Sequence, residues 1–402
     1  MSEQKSNAVE ELPLEPTALL AAASRHNGGL TDFGDPSFRP ALDMMLKSLR
    51  EEANLSATGK ALFARRVVES LGNRLILEDY CRRYPQILEE RIEEPVVIIG
   101  LPRTGTTLLH RVLARDPRFY TAAWWETRFP APLSEDDLVH PVRRIEMARA
   151  EIRMIVEGLP ELLAIHPFDA ELPDEEVILM EHSFLSAIDS YGDVPGYMAW
   201  LWQQDQTSAY TYLKKQLQFL QWQKRQRGVT ASRWLLKAPH HMHLMPTLFR
   251  VFPDARVIQT HRDPLQTIPS MGSFAFTLWR IYSDHADPAR AGRQWSDKFA
   301  RGLRNAMIYR DDASADRFMD VWYLDAVTQP LAVAKAVYSF IGMPWSVEAE
   351  RRMLVWLQQS GREKRPAHEY SFEKMGLSEE QLKRDFADYR GRYILPRLAG
   401  RG

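Results

Sequence analysis

The 402-residue chain is poor in the features that assign a protein quickly. It holds one cysteine, Cys81, which excludes an internal disulfide and a cysteine-rich zinc site and suits a reducing compartment. Its 52 Lys and Arg stand against 53 Asp and Glu, a formal net charge of −1. That balance argues against a general nucleic-acid binder, so any positive site must be local. No apolar run approaches the ~20 residues of a membrane span. Residues 1–16 are polar and acidic with no apolar centre, unlike a secretory signal, and read as a disordered lead. Internal repeats and low-complexity tracts are missing too. With 45% hydrophobic and 26% charged residues, the expectation is a soluble, cytoplasmic globular protein.

What is present centres on one stretch, Pro95 to His110. The apolar run 96–99 meets a Gly/Pro/Thr turn, which opens directly into a helical pattern. Strand, tight loop and helix start in that order form an arrangement that holds a phosphate-like anion with backbone amides. Gly100 and Gly105 have the spacing of a P-loop, but Thr106 stands where its lysine would be. A nucleoside-triphosphate hydrolase needs that lysine. Here the cation, Arg103, lies inside the loop and offers a planar, permanently charged fork. The hydroxyls of Thr104, Thr106 and Thr107 are further candidate donors.

Around this loop the pattern predicts an N-terminal helical segment over 17–94 and an α/β domain over 95–402. Residues 119–126 read as a short strand. A helical insertion runs from about 133 to 230, with helices at 143–158, 175–190 and 208–227. Strands follow at 234–237, 256–260 and 318–323, separated by helices. This alternation predicts a three-layer α/β/α fold on a central parallel sheet. Ligands in such sheets bind at the carboxyl ends of the strands, so the loops after Ile99, Lys237 and Thr260 should converge on one crevice.

The turn after 256–260 carries Arg262, and eight residues later comes Ser270. This pair, together with Pro102-Arg103-Thr104-Gly105-Thr106-Thr107, resembles the sulfotransferases that use 3′-phosphoadenosine-5′-phosphosulfate (PAPS). The likeness spans about 95–345 outside the insertion. It is closest to a bacterial branch with Arg in the first loop and to the tyrosylprotein enzymes, and less close to the cytosolic phenol and steroid group. It implies that Arg103, Thr104, Gly105, Thr106 and Thr107 hold the 5′-phosphosulfate, and that Arg262 and Ser270 hold the 3′-phosphate. It also implies sulfuryl transfer to a hydroxyl or amine, with PAP as product and no metal.

The implied chemistry needs charge stabilisation on the leaving oxygen, alignment of the acceptor and a base. The resemblance assigns the leaving-group role to Arg103 and Lys237. Glu126, beside Trp124 and Trp125, is the expected base, on the argument that the indoles desolvate it and raise its pKa. His182, His240 and His241 are the rivals. Glu175 and Glu176 read as acids at a helix N-terminus, favoured by its dipole. The basic segment Arg362 to Arg365 matches, by analogy, a segment that folds over the 3′-phosphate. Trp124, Trp125, Phe129, Phe274, Phe276, Trp279 and Tyr282 suggest a small aromatic or lipophilic acceptor. The alternatives are a P-loop nucleotide kinase or a non-catalytic nucleotide-binding member of the fold. A homodimer is left open.

Overall fold

A computed structural model describes residues 12–162, 167–360 and 371–400. Its centre is a five-stranded parallel sheet of β1 (Val96–Gly100), β2 (Phe119–Tyr120), β3 (Arg233–Lys237), β4 (Arg256–His261) and β5 (Phe318–Trp322), in the order β2-β3-β1-β4-β5. β1 is central and wholly buried, which its run of β-branched residues requires. Its alternate side chains serve opposite layers. Val96 and Ile98 pack with Leu109, Val112 and Val337, on α4 (Thr106–Leu113) and α10 (Pro330–Phe340). Val97 and Ile99 join the larger core on the other side.

That larger core includes the N-terminal helices α1 (Pro16–His26), α2 (Phe38–Glu51) and α3 (Ala57–Arg83). α3 lies against α8 (Pro264–Tyr282), and the two are close enough that a Cβ on Gly59 would meet the Tyr282 carbonyl oxygen at 1.9 Å. The N-terminal segment is therefore built into the body of the fold. The expected lead through residue 16 falls partly outside the described residues. From Leu12 onward it is packed, with Leu14 buried and Pro16 starting α1.

Two expected elements differ. The strand expected over 119–126 stops at Tyr120, and Trp124–Arg128 is a short helix, α5. The Glu126 carboxylate accepts the Ala123 N–H at 3.0 Å, which closes the first turn of that helix. The long helix expected over 175–190 is instead a series of short turns, broken at Phe184, whose φ is +58°. The rest of the insertion is helical as expected, with α6 (Val142–Gly158) and α7 (Thr207–Gln226). α9 (Pro288–Asp312) follows α8 and packs along it. No helix among the described residues is long and apolar enough to cross a membrane.

Candidate functional site

The loop after β1 is shaped by three positive φ angles, at Gly100 (+145°), Arg103 (+69°) and Gly105 (+89°). Gly100 has no room for a side chain, because a Cβ there would lie 2.2 Å from the Thr260 hydroxyl. Arg103 accepts a conformation unfavourable for an L-residue, a strain of about 1–2 kcal/mol. Thr104 is fully buried, and its hydroxyl bonds the Leu101 carbonyl and the Thr260 hydroxyl, the latter at 2.6 Å. The Thr104 hydroxyl thus ties the loop to β4. Gly105, in the left-handed region, caps α4, so the amides that begin this helix stand free of intrahelical bonds.

β1 and β4 are neighbours, with Gly100 opposite Thr260. The two cationic loops therefore meet. Arg262 donates to the Arg103 carbonyl at 2.9 Å and lies 4.0 Å from the Tyr323 ring centroid. Asp263 caps α8 through Leu265 N–H and holds Arg390 from the C-terminal helices at 3.0 and 3.1 Å. Ser270 is on α8, 2% exposed, and its hydroxyl has no hydrogen-bond partner among the described residues.

A cavity of about 1010 Å³ opens beside these loops. Arg103, Gly105, Thr106, Thr107 and Arg262 line it, while Thr104 and Ser270 are not among its lining residues. Much of the remaining wall is apolar, from Met147, Met154, Phe168, Met271, Phe274 and Leu278. Of the aromatics expected at the site, Trp124, Phe129, Phe274 and Tyr282 line it, and Trp125, Phe276 and Trp279 do not. α3 supplies Arg65, Arg66 and Glu69 to the wall, residues that the sequence placed only within the N-terminal helical segment. Arg66 forks onto Glu181 at 2.8 and 2.7 Å, and Arg128 onto Glu151 at 3.0 and 2.8 Å. These cations are therefore matched by carboxylates.

Glu126 is not at the cavity. It is 1% exposed and clamped by Lys224 at 2.6 Å and Arg227 at 2.9 Å. Burial would raise its pKa, but the two cations outweigh burial and hold it below its ordinary value. This is the reverse of what a base requires, and the indoles expected to desolvate it do not change the outcome. His182 and His241 are likewise absent from the wall. His182 bonds Gln216 and Asn73, and His241 bonds Tyr210 and Glu176 at 2.7 and 2.6 Å, which makes both of them internal struts. His240 alone of the three histidines lines the cavity.

Lys237 is 1% exposed, behind the wall, with its ammonium 2.7 Å from Glu175. Glu175 does line the cavity. Its neighbour Glu176 accepts the Lys237 amide at 2.8 Å, which pins the acidic turn to the carboxyl end of β3. The two acids thus cross-link β3 and do more than satisfy a helix dipole. Glu175 was legible only as an acidic pair after Leu172-Pro173, since its partner is 62 residues away. The basic segment Arg362 to Arg365 lies outside the described residues.

The profile of the sulfotransferase family matches residues 95–347. The chain belongs to the sulfotransferase family. Among solved structures, it is similar to the sulfotransferase STF1 from Mycobacterium tuberculosis H37Rv, at 28% identity and a TM-score of 0.81. That likeness covers 94% of this chain and 100% of the other. The fold is also that of the sulfotransferase STF9 from Mycobacterium avium, at 24% identity and a TM-score of 0.84, with 98% of each chain covered. No curated protein sequence is similar enough to count as a relative. In this sulfotransferase the profile begins on the Pro95 strand and takes in both cationic loops. α1, α2 and α3 precede that match.

Proposed function

We propose that the protein transfers a sulfuryl group from PAPS to a hydroxyl or amine of a small, lipophilic or aromatic acceptor. The observation that carries this is the joining of two cationic loops at adjacent strand ends, with Arg262 bonded to the Arg103 carbonyl, over one cavity that also holds Glu175. A donor with phosphates at both ends of its ribose needs two anion sites, and the two loops supply them. The residues fit that donor. The strained loop offers amides and an arginine, and the partnerless Ser270 hydroxyl is a donor in want of an acceptor.

In this reading Arg103 and the first amides of α4 bind the 5′-phosphosulfate, with the hydroxyls of Thr106 and Thr107, and stabilise charge on the departing phosphate oxygen. Arg262 and Ser270 hold the 3′-phosphate. Glu175 takes the proton of the acceptor as the acceptor oxygen or nitrogen bonds to sulfur and the sulfur–oxygen bond to the phosphate breaks. Glu175 lines the cavity, and its carboxylate bonds Lys237 at the carboxyl end of β3. Lys237 acts through Glu175, holding the carboxylate in place with its ammonium. Phe274, Leu278 and Met271 exclude water from the acceptor.

Two measurements test the assignment. PAP should raise the melting temperature, while ATP with magnesium should not. Radiolabelled PAPS should transfer its label to a member of a panel of phenols, sterols, long-chain alcohols and amines. No response to PAP would remove the proposal.

A further inference from the structure

His240 and His243 sit on the turn after β3 and both line the cavity. They are 4% and 5% exposed, and neither ring nitrogen of either residue has a hydrogen-bond partner among the described residues. The contrast with His182 and His241 is direct, since each of those buried rings has both nitrogens engaged. A buried polar group left unmade costs on the order of 1–3 kcal/mol, so four such nitrogens on two cavity-lining residues need a reason. Their placement is fixed. The His243 ring lies against that of Trp202, with centroids 4.7 Å apart, and a Cβ on Gly302 would come within 2.7 Å of it.

The neighbouring charge defines what these rings accept. Lys298 also lines the cavity, and its ammonium bonds both oxygens of Asp189 at 2.8 and 2.7 Å, so that cation is already neutralised. Burial, with Lys298 adding to it, lowers His240 to about 3 and lowers His243 as well. Both rings are therefore neutral at physiological pH, and each carries one N–H and one bare nitrogen. A hydroxyl, which donates once and accepts, matches such a pair. A carboxylate does not, because it only accepts and would approach Asp189. The nearby wall, from Met271, Phe274 and Trp295, is apolar.

We propose that His240 and His243 form a subsite for a second hydroxyl of the acceptor, distinct from the group that receives the sulfuryl. The acceptor class is thus a lipophilic molecule with at least two hydroxyls. The inference rests on the cavity being the acceptor site.

The test is calorimetric binding of α,ω-alkanediols of six to ten carbons, of the 1-alkanols of equal length and of the matching ω-hydroxy acids. It is run on the free protein and on the protein saturated with PAP. One diol length should bind about tenfold tighter than its alkanol, the worth of a neutral hydrogen bond in a buried site. His243→Leu and His240→Leu should each abolish that preference with PAP binding intact, and His243→Asn, which keeps a donor and an acceptor, should restore part of it. Alkanols binding at least as tightly at every length would overturn the proposal. So would a diol preference that survives both leucine variants, or the hydroxy acids binding best. A missing response to PAP would sink the donor assignment alone, because the diol comparison is still read on the free protein.

Discussion

Replacing Glu175 with Gln removes the proposed base and leaves the buried Lys237 ammonium without its carboxylate. The two effects have different sizes and can be separated. Loss of a positioned base lowers turnover by about 10²–10⁴-fold, equivalent to roughly 3–5 kcal/mol of activation free energy. Orphaning a deeply buried charge costs about 3–5 kcal/mol of stability. The Glu175 side chain is 23% exposed on the cavity wall, so water softens that loss to about 2 kcal/mol. Lys237→Met combined with Glu175→Gln removes the stranded charge. The double variant should regain most of the stability and none of the activity. Urea unfolding gives the first quantity, and single-turnover transfer with labelled PAPS gives the second, per mole of folded protein. If Glu175→Gln stays within tenfold of the parent rate while binding PAP normally, the assignment of the base fails. If the double variant recovers turnover, the pair is a structural strut only.

Glu126→Gln should behave in the opposite way. It breaks a carboxylate bridging two cations and should cost about 3 kcal/mol of stability, with turnover per folded molecule unchanged. The same carboxylate sets a pH dependence. Its folded pKa lies below the ordinary 4.5, so its contribution is present above pH 4.5 and is lost as pH falls through the lowered value. Urea unfolding followed by circular dichroism should therefore show the Glu126→Gln variant losing less stability than the parent as pH falls below 4.5, and an equal loss would refute the carboxylate's part in acid unfolding. Arg262→Ala should weaken PAP binding by about 10–100-fold by calorimetry, the worth of one charge-assisted contact, and unchanged affinity would refute its assignment to the 3′-phosphate. Gly100→Ala should abolish PAP binding or folding, because its Cβ has no space beside Thr260; a stable variant with normal PAP affinity would contradict the loop geometry.

The parallel sheet and the first loop were legible because their determinants are local. The run Val96 to Ile99 can only be a buried strand, and two glycines at fixed spacing impose the turn after it. Arg262 was legible for the same reason, at the end of a second apolar run. Glu126 misled because burial beside two indoles looks in sequence like desolvation. The cations that decide its ionisation, Lys224 on α7 and Arg227 just after it, come from about a hundred residues away. The contact of the Thr104 hydroxyl with Thr260 was not legible, because nothing in the sequence shows that the two residues meet.

The sequence by itself determined the layered α/β fold and the two cationic loops at its strand ends, since each depends on contiguous residues and backbone sterics. Tertiary structure alone decided which acids meet the cavity, which buried histidine nitrogens lack partners among the described residues, and that α3 walls the cavity. Those choices depend on side chains tens to hundreds of residues apart being brought within 3 Å, where charge and hydrogen bonding set what each group can do.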